Sequence, residues 1–115
     1  MITRHTLKDP KVWAALAALP ALGTTGDQQG DLAAVKLFDA WGASFWVLWE
    51  YDADDKIGYG LCDLGMGSAE IGSVSVAELD DQFPGSLRIP IERDMAITTR
   101  YAGYKSRNID VPDYL

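Results

Sequence analysis

The sequence predicts an α+β domain: a small antiparallel sheet of about four to six strands, an N-terminal helix, and one short helix after the fourth strand. Three observations carry this reading. Val12, Trp13, Leu16 and Leu19 recur at helical spacing. From residue 31 onward the apolar period drops to two. Ser75-Val76-Ala77-Glu78 then fits the capping-box pattern that opens a second helix.

Asp9-Pro10 starts the first helix, because an aspartate accepts from the free amides of a first turn and proline fits the first helical position, where its missing N–H is not needed. Pro20 stops it, and residues 23–30 read as a polar loop. Residues 32–38 and 44–51 read as two strands of an antiparallel hairpin. In the second of these, strict alternation puts Phe45, Val47 and Trp49 on one face and Trp46, Leu48 and Glu50 on the other. Both faces need cover; the N-terminal helix supplies one, and the C-terminal segment or a partner the other. A charged turn over residues 52–56 leads to a strand at 57–64, and a glycine turn leads to another at 69–74. The capped helix spans residues 76–82, Pro84-Gly85 stops it, and residues 87–94 run extended because Pro90 forbids helix and suits a sheet edge. Residues 97–101 form a last strand.

With 115 residues, 48% of them hydrophobic and 23% charged, the chain has apolar material for one core, so residues 1–115 are expected to form a single domain. Residues 1–8 are expected as a flexible arm and 102–115 as a loosely held tail. The longest apolar stretch, residues 12–22, is broken by Pro20 and falls short of a membrane span. Arg4, Lys8 and Lys11 ahead of an apolar run resemble a secretory signal, but Asp9-Pro10 interrupts it and no small-residue cleavage site follows. Cys62 is the sole cysteine, which rules out an internal disulfide and suits a reducing cytoplasm. The net charge of −7 is unevenly spread: residues 27–81 hold twelve acids and two bases, the flanks a small basic excess. Such a surface repels nucleic-acid phosphates and membrane lipids and favours a protein partner with a basic surface.

Leu19-Pro20-Ala21-Leu22, Lys36-Leu37-Phe38, the Trp-rich strand from Phe45 to Glu50, Gly58-Tyr59-Gly60, the string from Glu70 to Leu79, and Ile89-Pro90-Ile91-Glu92-Arg93-Asp94 together resemble the bacterial domain-of-unknown-function family 2958. The strand holding Trp46 and Trp49 departs from the Trp-Thr-Trp type usual in that family. The resemblance implies a small cytoplasmic protein of the kind often carried on plasmids, integrative elements and phages, with no established activity or catalytic residue. It makes Glu50, Glu70, Glu92, Arg93 and Asp94 the polar residues of the family strings.

Catalytic devices are hard to assemble from these residues. The only histidine, His5, sits in the expected arm, a poor place to hold an imidazole beside a nucleophile. Cys62 between Leu61 and Leu64 reads as a small buried hydrophobe. Asp52, Asp54, Asp55 and Asp63 resemble a calcium loop, but Lys56 and Ile57 stand where an oxygen ligand and a glycine are needed, so a charged hairpin turn is expected. Nothing in the spacing of Glu50, Glu70 and Glu92 puts them in one cleft. The glycines at 58, 60, 65 and 67 lead into more strand, whereas a phosphate loop must lead into a helix. No cofactor or metal is expected. In an extended segment Glu92 and Asp94 project to one side and Arg93 to the other, in a structural ion-pair network.

These residues point to a non-enzymatic accessory protein of a mobile element that binds a basic protein partner. The binding residues are the exposed anchor Trp41 with Asp52, Asp54, Asp55, Glu78, Asp80 and Asp81. In its most specific form this is an anti-defence protein whose carboxylates imitate DNA phosphates. Two alternatives stand beside it: a small enzyme using carboxylates and Arg93 in a pocket, and a nucleic-acid-binding accessory protein using Arg88, Arg93, Arg100, Lys105 and Arg107.

Overall fold

A computed structural model describes residues 5–26, 32–40, 42–65, 67, 69–82 and 91–100. Helix α1 spans Pro10–Ala17, with Asp9 as its N-cap accepting from the Lys11 amide at 2.9 Å. Strands follow at Leu32–Ala33 (β1), Val35–Phe38 (β2), Phe45–Asp52 (β3), Ile57–Asp63 (β4) and Ala69–Ser75 (β5); then come helix α2 at Val76–Gln82 and strands Glu92–Asp94 (β6) and Thr99–Arg100 (β7). The sheet is antiparallel with order β5-β4-β3-β2-β6, and β1 and β7 form a separate two-stranded ribbon. The α+β class is as the periodicities predict. The predicted first strand divides at Ala34, whose amide donates to Thr98, so the predicted fourth strand is β5.

The sheet has a core on each side. Leu37, Trp46, Leu48 and Tyr51 pack under α1 and α2 with Leu7, Val12, Leu16, Val76, Leu79 and Ile91. Val47, Trp49 and Leu61 form the second cluster with Leu32, Ala34 and Ala69, and β7 lies against β3 on this side. Trp46 and Trp49 are both essentially inaccessible to solvent. Burying each contributes roughly 4–6 kcal/mol of gross apolar stabilisation, which is why β3 anchors both cores.

Two expectations are corrected here. The first is the face of Glu50. A bulge between Leu48 and Glu50 places Leu48 opposite Gly60 and Glu50 opposite Tyr59. Two β3 residues therefore meet one on β4, the alternation slips by one, and Glu50 joins Tyr59 on the Trp49 side rather than following Trp46 and Leu48. The second is the part of the expected arm that is described, residues 5–8. From His5 onward the N-terminus is docked: Arg93 donates its amide to the His5 carbonyl at 2.6 Å, Leu7 donates to Ile91 at 2.9 Å, and Thr6 bridges Glu92. Leu7 is buried, so apolar burial and closure of the β6 edge hold this segment together. The expected tail at residues 102–115, and Pro84, Gly85 and Pro90, lie outside the described residues.

Candidate functional site

The β3–β4 turn brings most of the predicted partner-binding acids to one corner. Asp52 Oδ1 accepts from the amides of Asp54 at 3.0 Å and Asp55 at 3.4 Å, which closes the turn from within. Lys56 completes it in the left-handed region at φ 56°. Its carbonyl accepts from the Val76 amide at 2.9 Å, fastening the acidic turn to the N-terminus of α2. There the Ser75 hydroxyl accepts from the Glu78 amide at 3.2 Å, the cap that the sequence predicts. Asp54, Asp55, Glu78 and Asp81 are exposed, while Asp52 and Asp80 are half-buried. Trp41 lies outside the described residues.

Two lysines temper this negative surface. Lys8 Nζ pairs with Asp80 at 2.7 Å, and Lys56 Nζ stands 5.2 Å from the centre of the Trp13 ring. Trp13 is anchored by its indole N–H, which donates to the Leu7 carbonyl at 2.6 Å. Between these groups lies a cleft of about 380 Å3 lined by Trp13, Ala17, Tyr51, Ala53, Lys56 and Asp80. Burial, and then the Asp52 charge, push the Tyr51 hydroxyl above its ordinary pKa, so it stays a neutral donor at physiological pH. Trp13 is half-buried against the core, as its place on the helix stripe predicts, but its meeting with Lys56 is not visible in the sequence.

The polar residues of the family strings do not converge. Glu50 is buried and accepts from the amides of Gly23 at 2.7 Å and Thr25 at 3.0 Å, and from the Thr25 hydroxyl. Pairing between β2 and β3 ends at Val35 and Leu48, and Tyr51 donates instead to the Pro20 carbonyl at 2.9 Å. Glu50 thus pins the loop after α1 where β3 lacks a strand neighbour on the β2 side. Glu70 is exposed on β5 opposite Cys62. Glu92 and Asp94 share the face of Lys36, and Arg93 takes the other face opposite Leu37. Among the described residues the ion pair on this segment is that of Lys36, whose Nζ lies 3.7 Å from Asp94 Oδ2 and 5.0 Å from the Phe45 ring centre. Arg93 Nε is buried without a hydrogen-bond partner among the described residues. Lys36 and Asp94 line an open cleft of about 410 Å3 with Phe38, Asp39, Ser44 and Phe45.

The chemistry available is limited by these placements. Burial, with a smaller contribution from the Glu70 charge, pushes the Cys62 thiol up to about 11, so it is protonated at physiological pH. His5 bonds to β6, whereas Cys62 is on β4; three strands intervene by sheet order, roughly 19 Å at the usual strand spacing. Nucleophile and imidazole are therefore out of reach of each other. Among the described residues no three His, Cys, Asp or Glu side chains are grouped to hold a metal ion, and no helix is long and apolar enough to cross a membrane.

The family model described as protein of unknown function (DUF2958) matches residues 10–103. The chain belongs to this family. No curated protein and no solved structure matches it. The DUF2958 match spans both the acidic corner and the Lys36–Asp94 cleft, and the family description attaches an activity to neither.

Proposed function

We propose that this DUF2958 member is a non-enzymatic accessory protein that binds a basic protein partner through its acidic corner. The observation that carries the reading is the bond from the Val76 amide to the Lys56 carbonyl. It fastens the β3–β4 turn, which carries the exposed Asp54 and Asp55, to the start of α2, which carries the exposed Glu78 and Asp81, although the two segments are well separated in the chain. Exposed carboxylates of one sign raise encounter rates with a basic surface and make the complex salt-sensitive. Within this reading the protein serves a mobile element in the cytoplasm, and its most specific version is an anti-defence protein that competes with DNA for a DNA-binding nuclease or surveillance complex.

The test is affinity capture from host lysate at low and high salt, with wild type beside the variant Asp54→Lys/Asp55→Lys/Glu78→Lys/Asp81→Lys. A basic protein retained by wild type, released by salt and ignored by the variant is the expected result. Equal retention by both would refute the acidic corner as the binding surface. Release of the captured protein by duplex DNA separates the DNA-imitating version from other basic partners.

The enzyme alternative draws its support from the cleft at Asp94. Arg93, the cation the alternative relies on, projects from the face of β6 opposite to that of Asp94, away from this cleft.

A further inference from the structure

We infer that the cleft between α1 and the β3–β4 turn is a receptor for one cationic side chain of the partner, an arginine above all, and that the protein's own Lys56, which borders the cleft, covers its Trp13 ring in the free state. The inference rests on the acidic-corner reading and names what that corner recognises.

Lys56 already shows what the cleft accepts. Its ammonium lies 5.2 Å from the Trp13 ring centre, within the range at which a cation is attracted to an aromatic face. Tyr51, itself nearly buried, and Asp80 also line the cleft. The volume of about 380 Å3 is near the lower end for ligand sites, suited to a single side chain rather than a cofactor. An aromatic face beside a carboxylate suits guanidinium better than ammonium, because guanidinium stacks flat, is less strongly hydrated, and pairs with a carboxylate through two N–H groups.

The site can also be vacated. The Lys56 backbone is anchored through its carbonyl to Val76, so its exposed side chain can swing into solvent without moving the turn. Asp80 is half-shared at present: its partner Lys8 has a side chain 61% exposed, which an incoming guanidinium can displace at little desolvation cost. The exposed acids of the adjoining turn and helix, Asp54, Asp55, Glu78 and Asp81, add negative potential that favours the approach of a cation. Lys56 therefore acts as an internal competitor, and its removal should raise affinity for an external cation. An exposed cation–π contact keeps the ring covered most of the time, so the gain from freeing it is about three- to six-fold.

The experiment titrates tetra-arginine amide into the full chain while following the 15N indole resonance of Trp13, identified by its loss in Trp13→Phe. Wild type, Lys56→Gln, Lys56→Gln/Trp13→Phe and the four-fold charge-reversal variant are compared at low and high salt, with thermal melts confirming that each is folded. The expected result is a shift of the Trp13 indole on binding, a three- to six-fold tightening in Lys56→Gln, and loss of most of that gain when Trp13 is also replaced. Salt-sensitive binding that disappears in the charge-reversal variant but leaves the Trp13 resonance unmoved overturns the receptor cleft while the acidic-corner reading survives. No binding of the peptide by wild type or Lys56→Gln at low salt overturns both. Should Trp13→Phe fail to fold, the Lys56→Gln affinity decides alone.

Discussion

Gly60 offers the sharpest test of the sheet geometry. It sits on β4 opposite Leu48, immediately before the bulge in β3. A Cβ built at Gly60 would overlap the Val47 carbonyl oxygen and come within 2.9 Å of the Leu48 Cα. Both atoms belong to the backbone of the central strand, which β2 and β4 hold from either side. Relief requires the strands to separate and sacrifice ladder hydrogen bonds. Gly60→Ala is therefore expected at or beyond the upper end of overpacking costs, about 3 kcal/mol or more. Against a total stability of roughly 6–17 kcal/mol for a chain of this length, that is a substantial loss. At about 4 °C per kcal/mol it lowers the melting temperature by roughly 12 °C. Two neighbours calibrate the effect. At Gly58 the added Cβ would meet the end of the Leu48 side chain at 2.5 Å, which can yield at a cost of about 1–2 kcal/mol. At Gly72, across β4 on the edge strand β5, it would meet nothing within 4 Å. Gly72→Ala should be neutral, or stabilising by about 0.5–1 kcal/mol through reduced chain entropy. Thermal unfolding by circular dichroism ranks the three variants. A Gly60→Ala protein melting within about 2 °C of wild type, or one no worse than Gly72→Ala, would refute the close strand approach.

Other outcomes follow from the buried polar groups. Glu50→Ala leaves three donors of the loop after α1 without their acceptor, and should cost about 2–3 kcal/mol by urea denaturation, against about 1 kcal/mol for Thr25→Ala, which removes one donor. Equal midpoints for the two variants would show that the carboxylate does not hold the loop. The raised pKa of Cys62 makes its thiol slow toward thiol reagents at pH 8 in the folded protein. The folded pKa lies above the ordinary value of 9.0, so this contribution is fully present below pH 9 and is lost as pH rises toward about 11. Tyr51, also raised, acts in the same direction at high pH. Cys62→Ala should flatten part of the alkaline fall in melting temperature, and an unchanged slope would contradict the assigned cause.

Local chemistry made several elements legible in the chain. Asp9-Pro10 starts α1 and Ser75 caps α2 because these residues satisfy helix termini wherever they occur. The runs at β2, β3 and β4 read correctly as strands because they line the buried cores, and the charged turn at 52–56 was evident from its composition. Four of the acids of the candidate site, Asp54, Asp55, Glu78 and Asp81, are exposed as their charge suggests. Their meeting at one corner was not legible in the chain, because it depends on the bond between Lys56 and Val76, between residues distant in sequence. The same holds for Trp13 under Lys56, Asp94 beside Lys36, and His5 on the edge of β6. Glu50 shows the reason most directly. Alternation assigns it to the face of Trp46 and Leu48, but the bulge in β3 moves it to the Tyr59 side, where the loop after α1 closes over it. Which residues want burial, a turn or a cap is a property of each side chain and its neighbours in the chain, and the sequence by itself determined that much. Which of them touch was decided by strand register and by the way the loops fold back, and only the tertiary structure sets those.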